Sequence, residues 1–282
     1  MEFISPELIK RIAQKYGFTF KKGLGQNFLT SQEILAEIAE AAEIDGGGVL
    51  EIGPGFGVLT NELAKRAEKV VAYEIDDRLI PILSDTLSEY ENVRVINRDI
   101  LKTDMAAVID AEFDGMEVSI AANLPYYITT PIITRIIEAK LPIKNFVVMV
   151  QKEVADRIAA KPGTKDYGAL SVLCQYYTVP ETIRIVPKDL FVPQPKVDSA
   201  VLAMRMRKTP AVTVTDEKLF FRVVRASFSQ RRKTLLNCLT SSFGGGKERL
   251  FAVLREAEID PRRRGETLTL EEFARIAEII TP

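Results

Sequence analysis

Between Gly48 and Gln151 short β-rich runs alternate with helix-patterned ones, and this alternation constrains the fold more than any other feature of the chain. Val49–Gly53, Lys69–Glu74, Val93–Asn97, Val118–Asn123 and Phe146–Gln151 read as strands. Leu59–Ala67, Arg78–Leu87 and Pro131–Ala139 carry apolar residues at helical spacing. Such alternation builds a mostly parallel sheet covered by helices on both faces, an α/β fold with its ligands outside the carboxyl ends of the strands. Leu170–Tyr177 and Ser199–Met206 read as two further strands closing the sheet, separated by a segment broken at Pro187, Pro193 and Pro195. Beyond Arg207-Lys-Thr-Pro210 the patterns are helical: Lys218–Phe228, Arg232–Leu239, Lys247–Glu256 and Leu270–Ile280. The expected organisation is therefore an α/β domain over residues 1–207 and a small all-helical domain over 208–282.

Composition narrows the chemistry. The chain of 282 residues contains no histidine, so triads built on histidine, histidine-activated cysteines and histidine-ligated metals are excluded. Two distant cysteines, Cys174 and Cys238, offer neither a disulfide framework nor a zinc site, and no metal is expected. No apolar run reaches the ~18 residues of a membrane span, and no signal peptide is legible, so a cytoplasmic protein without a membrane partner is expected. Net charge is −1, which means that nucleic-acid binding would have to come from local patches. The run from Arg222 to Lys233 holds Arg222, Arg225, Arg231, Arg232 and Lys233 with no acid among them. These five are the candidate RNA contacts. Arg262-Arg-Arg264 is a second basic cluster, and Lys21, Lys22 and Lys196 could extend the surface.

The first strand leads into Gly53-Pro-Gly-Phe-Gly57. A dinucleotide fold wants G-x-G-x-x-G, but Val58 stands at the last of those positions. The G-x-G-x-G loop instead resembles the S-adenosylmethionine motif of class I methyltransferases, with Gly53 and Gly55 letting the backbone approach the ligand. Glu74, ending the second strand, is placed to accept hydrogen bonds from both ribose hydroxyls, and Asp99, past the third strand, to accept one from an adenine amino group.

The fourth strand ends in Asn123-Leu-Pro-Tyr126. An exocyclic adenine amine is a poor nucleophile because its lone pair is delocalised into the ring. The Asn123 side chain and a carbonyl at Leu124 or Pro125 can accept from its two N–H groups and favour a pyramidal nitrogen, while Tyr126 offers a stacking face. Together with Gly25-Gln-Asn-Phe-Leu29, Phe191-Val-Pro-Gln-Pro-Lys-Val-Asp-Ser199 and Phe228-Ser-Gln-Arg-Arg-Lys-Thr-Leu235, this motif resembles the ribosomal RNA adenine dimethyltransferase family, the small-subunit enzymes linked to kasugamycin sensitivity. The resemblance implies a class I methyltransferase fold with S-adenosylmethionine as methyl donor. It puts cofactor contacts on Gln26, Asn27, Leu29 and Gly53, and on Gly55, Glu74, Asp99 and Asn123. It puts catalysis on Asn123, Leu124, Pro125 and Tyr126, with Phe191 as a second aromatic wall. One departure is Arg98, which precedes Asp99 where relatives often have glycine. The implied substrate is a pair of adjacent adenosines in a hairpin loop near the 3′ end of small-subunit ribosomal RNA, in the assembling small subunit, modified by a monomer. Alternatives are a methyltransferase of large-subunit RNA, an assembly factor acting mainly by binding, and, more remotely, a nicotinamide dehydrogenase.

Overall fold

A computed structural model describes residues 4–20 and 25–280. The chain divides into two compact units: Met1–Ala155 with Pro180–Met206, and Asp156–Val179 with Arg207–Pro282.

The first unit is organised by strands β1 (Phe28–Leu29), β2 (Gly48–Ile52), β3 (Lys69–Glu74), β4 (Val93–Asn97), β5 (Val118–Asn123), β6 (Ile143–Gln151), β7 (Thr178–Val186), β8 (Phe191–Val192) and β9 (Ser199–Met206). Seven of them form one sheet in the order β4-β3-β2-β5-β6-β9-β7, and β1 pairs with β8 in a separate two-stranded ribbon. The pairs β2–β3, β3–β4, β2–β5 and β5–β6 are parallel, while β6–β9 is antiparallel. From β2 the chain moves outward through β3 and β4, then crosses back to β5 and β6. The order reverses between β2 and β5, and a crevice opens at their carboxyl ends. Every residue of β2 is buried, as expected for a central strand covered on both faces.

Helices α1 (Pro6–Lys15), α2 (Gln32–Ala41), α3 (Val58–Ala64), α4 (Ile80–Thr86), α5 (Met105–Phe113), α6 (Thr129–Glu138) and α7 (Lys152–Ile158) belong mainly to this unit. Ser5 and Ser31 start the first two, accepting the backbone N–H of Leu8 and Ile34. The second unit holds α8 (Ala169–Tyr177), α9 (Glu217–Ser227), α10 (Leu235–Ser242), α11 (Gly246–Glu256) and α12 (Leu270–Ile279) around Phe220, Leu239, Leu254 and Phe273, all fully buried.

One expected strand is a helix. Leu170–Tyr177 lies in α8, which is buried on most of its surface. Because its apolar residues face inward all round, they carry neither a period of two nor one of 3.6. Gly168 starts it, its backbone N–H donating to Ser171 Oγ at 3.0 Å. Tyr176 then packs on Phe220 of α9, ring centroids 5.0 Å apart, so the segment joins the helical unit rather than the sheet. The missing strand is β7, whose Pro180 is tolerated because β7 lies at the sheet edge. Among the described residues no helix is long and apolar enough to cross a membrane.

Candidate active site

The carboxyl ends of β2, β3, β4 and β5 surround a cavity of about 330 Å³, within the size range of small-molecule sites. Gly53 closes β2 at φ +73°, and a Cβ there would meet nothing within 4 Å, so its Cα faces open space. Gly55, at φ +60°, has a further reason to be glycine: a Cβ would stand 2.7 Å from the Phe28 ring. Phe28 stacks on Phe56 with centroids 4.2 Å apart, which clamps β1 against the glycine loop. Gly55 lines the cavity, and both its φ of +60° and the close approach of Phe28 call for glycine.

Glu74 ends β3 almost fully buried. Its Oε1 accepts the Asp76 N–H at 2.8 Å and its Oε2 the Gly55 N–H at 3.3 Å. Burial raises its pKa, and these backbone donors work against the rise. Each oxygen retains a lone pair, so a vicinal diol can still be accepted. Asp99 lines the cavity, Oδ1 accepting the Leu101 N–H at 2.9 Å and Oδ2 lying 3.9 Å from the exposed Lys102 Nζ. Arg98 is exposed and lines the cavity beside it.

Asn123 ends β5. Its Nδ2 donates to the Asn27 carbonyl at 3.5 Å, which leaves Oδ1 as acceptor for another group. The Pro125 carbonyl accepts from the Ile128 N–H at 3.1 Å and from the Thr129 hydroxyl at 3.2 Å. Of the two carbonyls the sequence left open, Leu124 is therefore the better second acceptor. Tyr126 is half-buried, its hydroxyl 2.8 Å from Ser199 Oγ, and burial raises its pKa. Tyr126 and Phe191 both line the cavity.

Gln26 and Asn27 also line it, but Leu29 does not. The Leu29 side chain is wholly buried in the core, in register with Phe191 across the ribbon, so only its backbone could serve a cofactor. Sequence reasoning missed Asp76, Ser199 and Tyr127. Asp76 accepts from Gln26 Nε2 at 2.9 Å and from Arg78 Nε at 2.8 Å, with Arg78 chiefly responsible for its lowered pKa. Arg78 in turn lies 4.7 Å over the Phe18 ring, tying the N-terminal segment to the cavity wall. The signal for Asp76 was an acid two residues after Glu74 and two before an arginine. Tyr127 lines the cavity with its side chain largely exposed.

In the helical unit Arg222, Arg225, Arg231, Arg232 and Lys233 are all exposed. Arg222 sits 4.4 Å over the Phe243 ring, and Arg231 donates to the Lys165 carbonyl. The second basic cluster is largely neutralised by its neighbours. Arg262 pairs with Asp260 at 3.0 Å, and Arg263 donates to both oxygens of Glu272 and to the Thr267 carbonyl at 2.6 Å. Arg263 is a structural residue, its charge already satisfied within the fold. Lys196 is exposed, and Lys21 and Lys22 lie outside the described residues.

Residues 17–281 match the family described as ribosomal RNA adenine dimethylase. The chain is 57% identical over 281 residues to Ribosomal RNA small subunit methyltransferase A of Geobacillus sp. (strain WCH70), a match covering 98% of this chain and 97% of that one. Among solved structures, a dimethyladenosine transferase from Plasmodium falciparum superposes with TM-score 0.74 at 27% identity, over 88% of this chain and 95% of its own. The 23S rRNA methyltransferase ErmE superposes with TM-score 0.69 at 31% identity, over 89% and 98% respectively. The fold is accordingly the class I methyltransferase α/β fold with an added C-terminal helical part. A cavity with an open glycine after β2, a buried carboxylate at the end of β3 and an amide acceptor at the end of β5 fits an adenosyl methyl donor. With that fit and a match over nearly its whole length, the chain belongs to the ribosomal RNA adenine dimethylase family and is an S-adenosylmethionine-dependent rRNA (adenine-N6,N6)-dimethyltransferase.

Proposed function

We propose that this enzyme dimethylates two adjacent adenosines in a 3′-terminal hairpin loop of small-subunit ribosomal RNA, within the assembling small subunit, working as a cytoplasmic monomer. The observation that carries the choice of subunit is the 57% identity, end to end, with a relative named for the small subunit, against 31% with the large-subunit enzyme ErmE. A base in a loop is also easier to extrude than one in a duplex, which suits a site that must reach an exocyclic amine.

S-adenosylmethionine, when bound, supplies a methyl group activated by its sulfonium charge. Glu74 accepts the two ribose hydroxyls, and Gly53 leaves room for the ligand beside the backbone. Asp99 offers its second oxygen to the cofactor's adenine, with Gln26 and Asn27 closing the other side. The target adenine enters between Tyr126 and Phe191. Asn123 Oδ1 and the Leu124 carbonyl accept from its two amino hydrogens, localise the lone pair and aim it at the methyl. Ser199 fixes the Tyr126 ring through its hydroxyl. Positioning of this kind is worth roughly 7–11 kcal/mol in favourable cases. The proton released by the methylated nitrogen passes to water, so no histidine is needed. Exposed Arg222, Arg225, Arg231, Arg232 and Lys233 hold RNA phosphates.

The test is transfer of a labelled methyl group from S-adenosylmethionine to purified small and large subunits that lack their modifications. The reading predicts transfer to small subunits alone. Transfer confined to large subunits would move the substrate to the other subunit. Light scattering of the pure protein checks the monomer.

A further inference from the structure

Besides the cavity at the strand ends, the helical unit carries a shallow polar depression lined by Gln230, Lys233, Asn237, Thr240 and Ser241. Four of these lie on one face of α10 and the turn that leads into it, at the spacing i, i+4, i+7, i+8. No carboxylate lines it.

The direction of the hydroxyl bonds decides what this face can take. Thr240 Oγ1 donates to the Leu236 carbonyl at 2.7 Å, and Ser241 Oγ donates to the Asn237 carbonyl at 2.9 Å. A hydroxyl has one proton, and both have given theirs to the helix backbone. What they present outward is lone pairs. A phosphate oxygen is also only an acceptor and finds no partner on either hydroxyl; its donors in the depression are Lys233 and the amides of Gln230 and Asn237. A group that donates does find one on the hydroxyls, and the donors RNA offers are the ribose 2′-hydroxyl and the amino and imino groups of the bases. Cations stand at both ends of the helix: Lys233 precedes it, and Arg222 reaches its last turn, Nη2 3.3 Å from the Ser242 carbonyl. α10 spans about 12 Å, so phosphates held at its two ends would bring the intervening riboses over Asn237, Thr240 and Ser241. A-form RNA displays its 2′-hydroxyls in a wide, shallow minor groove, which short side chains on a helix face can approach.

We infer that the polar face of α10 is a ribose-reading site: Thr240 and Ser241 accept hydrogen bonds from 2′-hydroxyls of an RNA strand whose phosphates are held by Lys233 and Arg222. This rests on the reading of the chain as an enzyme of small-subunit RNA and adds a means of telling RNA from DNA.

The test measures binding of the full-length protein to a transcript of the 3′ region of small-subunit RNA and to DNA of the same sequence, across a salt series. Thr240→Val/Ser241→Ala should lose roughly tenfold in RNA affinity, two neutral hydrogen bonds, with an unchanged salt slope and no loss on DNA. Lys233→Ala should weaken both polymers and lower the slope by about 0.7–0.9. Ser241→Ala alone, at an exposed position where alanine suits a helix, keeps the test valid if the double variant unfolds, with about a threefold loss on RNA expected. Equal losses on RNA and DNA would assign the face to base donors and overturn the ribose reading, as would no loss at all. Failure of the wild-type protein to methylate small subunits would instead overturn the functional reading beneath it.

Discussion

Two residues before Gly53, in the middle of the central strand β2, stands a glutamate that no water reaches. Glu51 is 1% exposed, and its Oε2 has no hydrogen-bond partner. Burial, with the Glu74 charge adding to it, pushes its carboxyl up to about 8 from 4.5. In the folded protein Glu51 is therefore a neutral acid at pH 7, whereas in the unfolded chain it ionises near 4.5. Between those values the unfolded state binds fewer protons than the native state, so stability must fall as pH rises through this window and level off above it. The slope is at most ~1.4 kcal/mol per pH unit, and integration from pH 5 to pH 9 gives a loss of about 4 kcal/mol. Glu51→Gln replaces the protonated acid with a neutral group of the same shape and should abolish this term. Urea unfolding of both proteins at pH 5, 6, 7, 8 and 9 isolates it, because the other titrating groups are common to the two. The difference should grow in favour of the variant by about 4 kcal/mol over the series. A difference that stays constant with pH would refute the reasoning, since Glu51 would then titrate alike in the folded and unfolded chain.

Asn123→Ala should lower turnover roughly 10²-fold while S-adenosylmethionine affinity changes little, because its Oδ1 bond forms chiefly to the reacting amine; single-turnover kinetics and calorimetry separate the two, and comparable losses would count against that role. Replacing Arg231 and Arg232 together by alanine should reduce the log–log salt slope of RNA binding by about 1.5, and an unchanged slope would remove both from the interface. Arg263→Ala should destabilise the protein by about 1–3 kcal/mol by leaving the half-buried Glu272 without its ion-pair partner, held only by the Thr269 N–H, with RNA affinity unaltered; denaturant melts alongside binding curves would expose an error in either half.

The parts of the site that were legible in the sequence are those set by local geometry. Gly53, Glu74, Asp99 and Asn123 sit at or just past strand ends that the apolar runs mark almost to the residue, and the parallel order of those strands brings the four together. What could not be read depends on partners distant along the chain. The close approach of Phe28 to Gly55 is one such case, and the neutralisation of Arg263 by Glu272 on the next helix is another. Leu29 faces the core because β1 pairs with β8, a partner more than half the chain away. The segment Ala169–Tyr177 misleads because burial on most of its surface erases the period that would declare it a helix. Helices α1, α2 and α5 were not anticipated, although Ser5, Ser31 and Asp104 each supply a capping oxygen immediately before them.

The central claim is that the cavity between β2 and β5 directs two methyl groups onto each of two neighbouring adenine amines. The most direct measurement is mass spectrometry of RNA digested from unmodified small subunits after incubation with the protein and labelled S-adenosylmethionine. The account predicts two adjacent N6,N6-dimethyladenosines carrying the label. Label on any other base, or no label despite demonstrated cofactor binding, would contradict it.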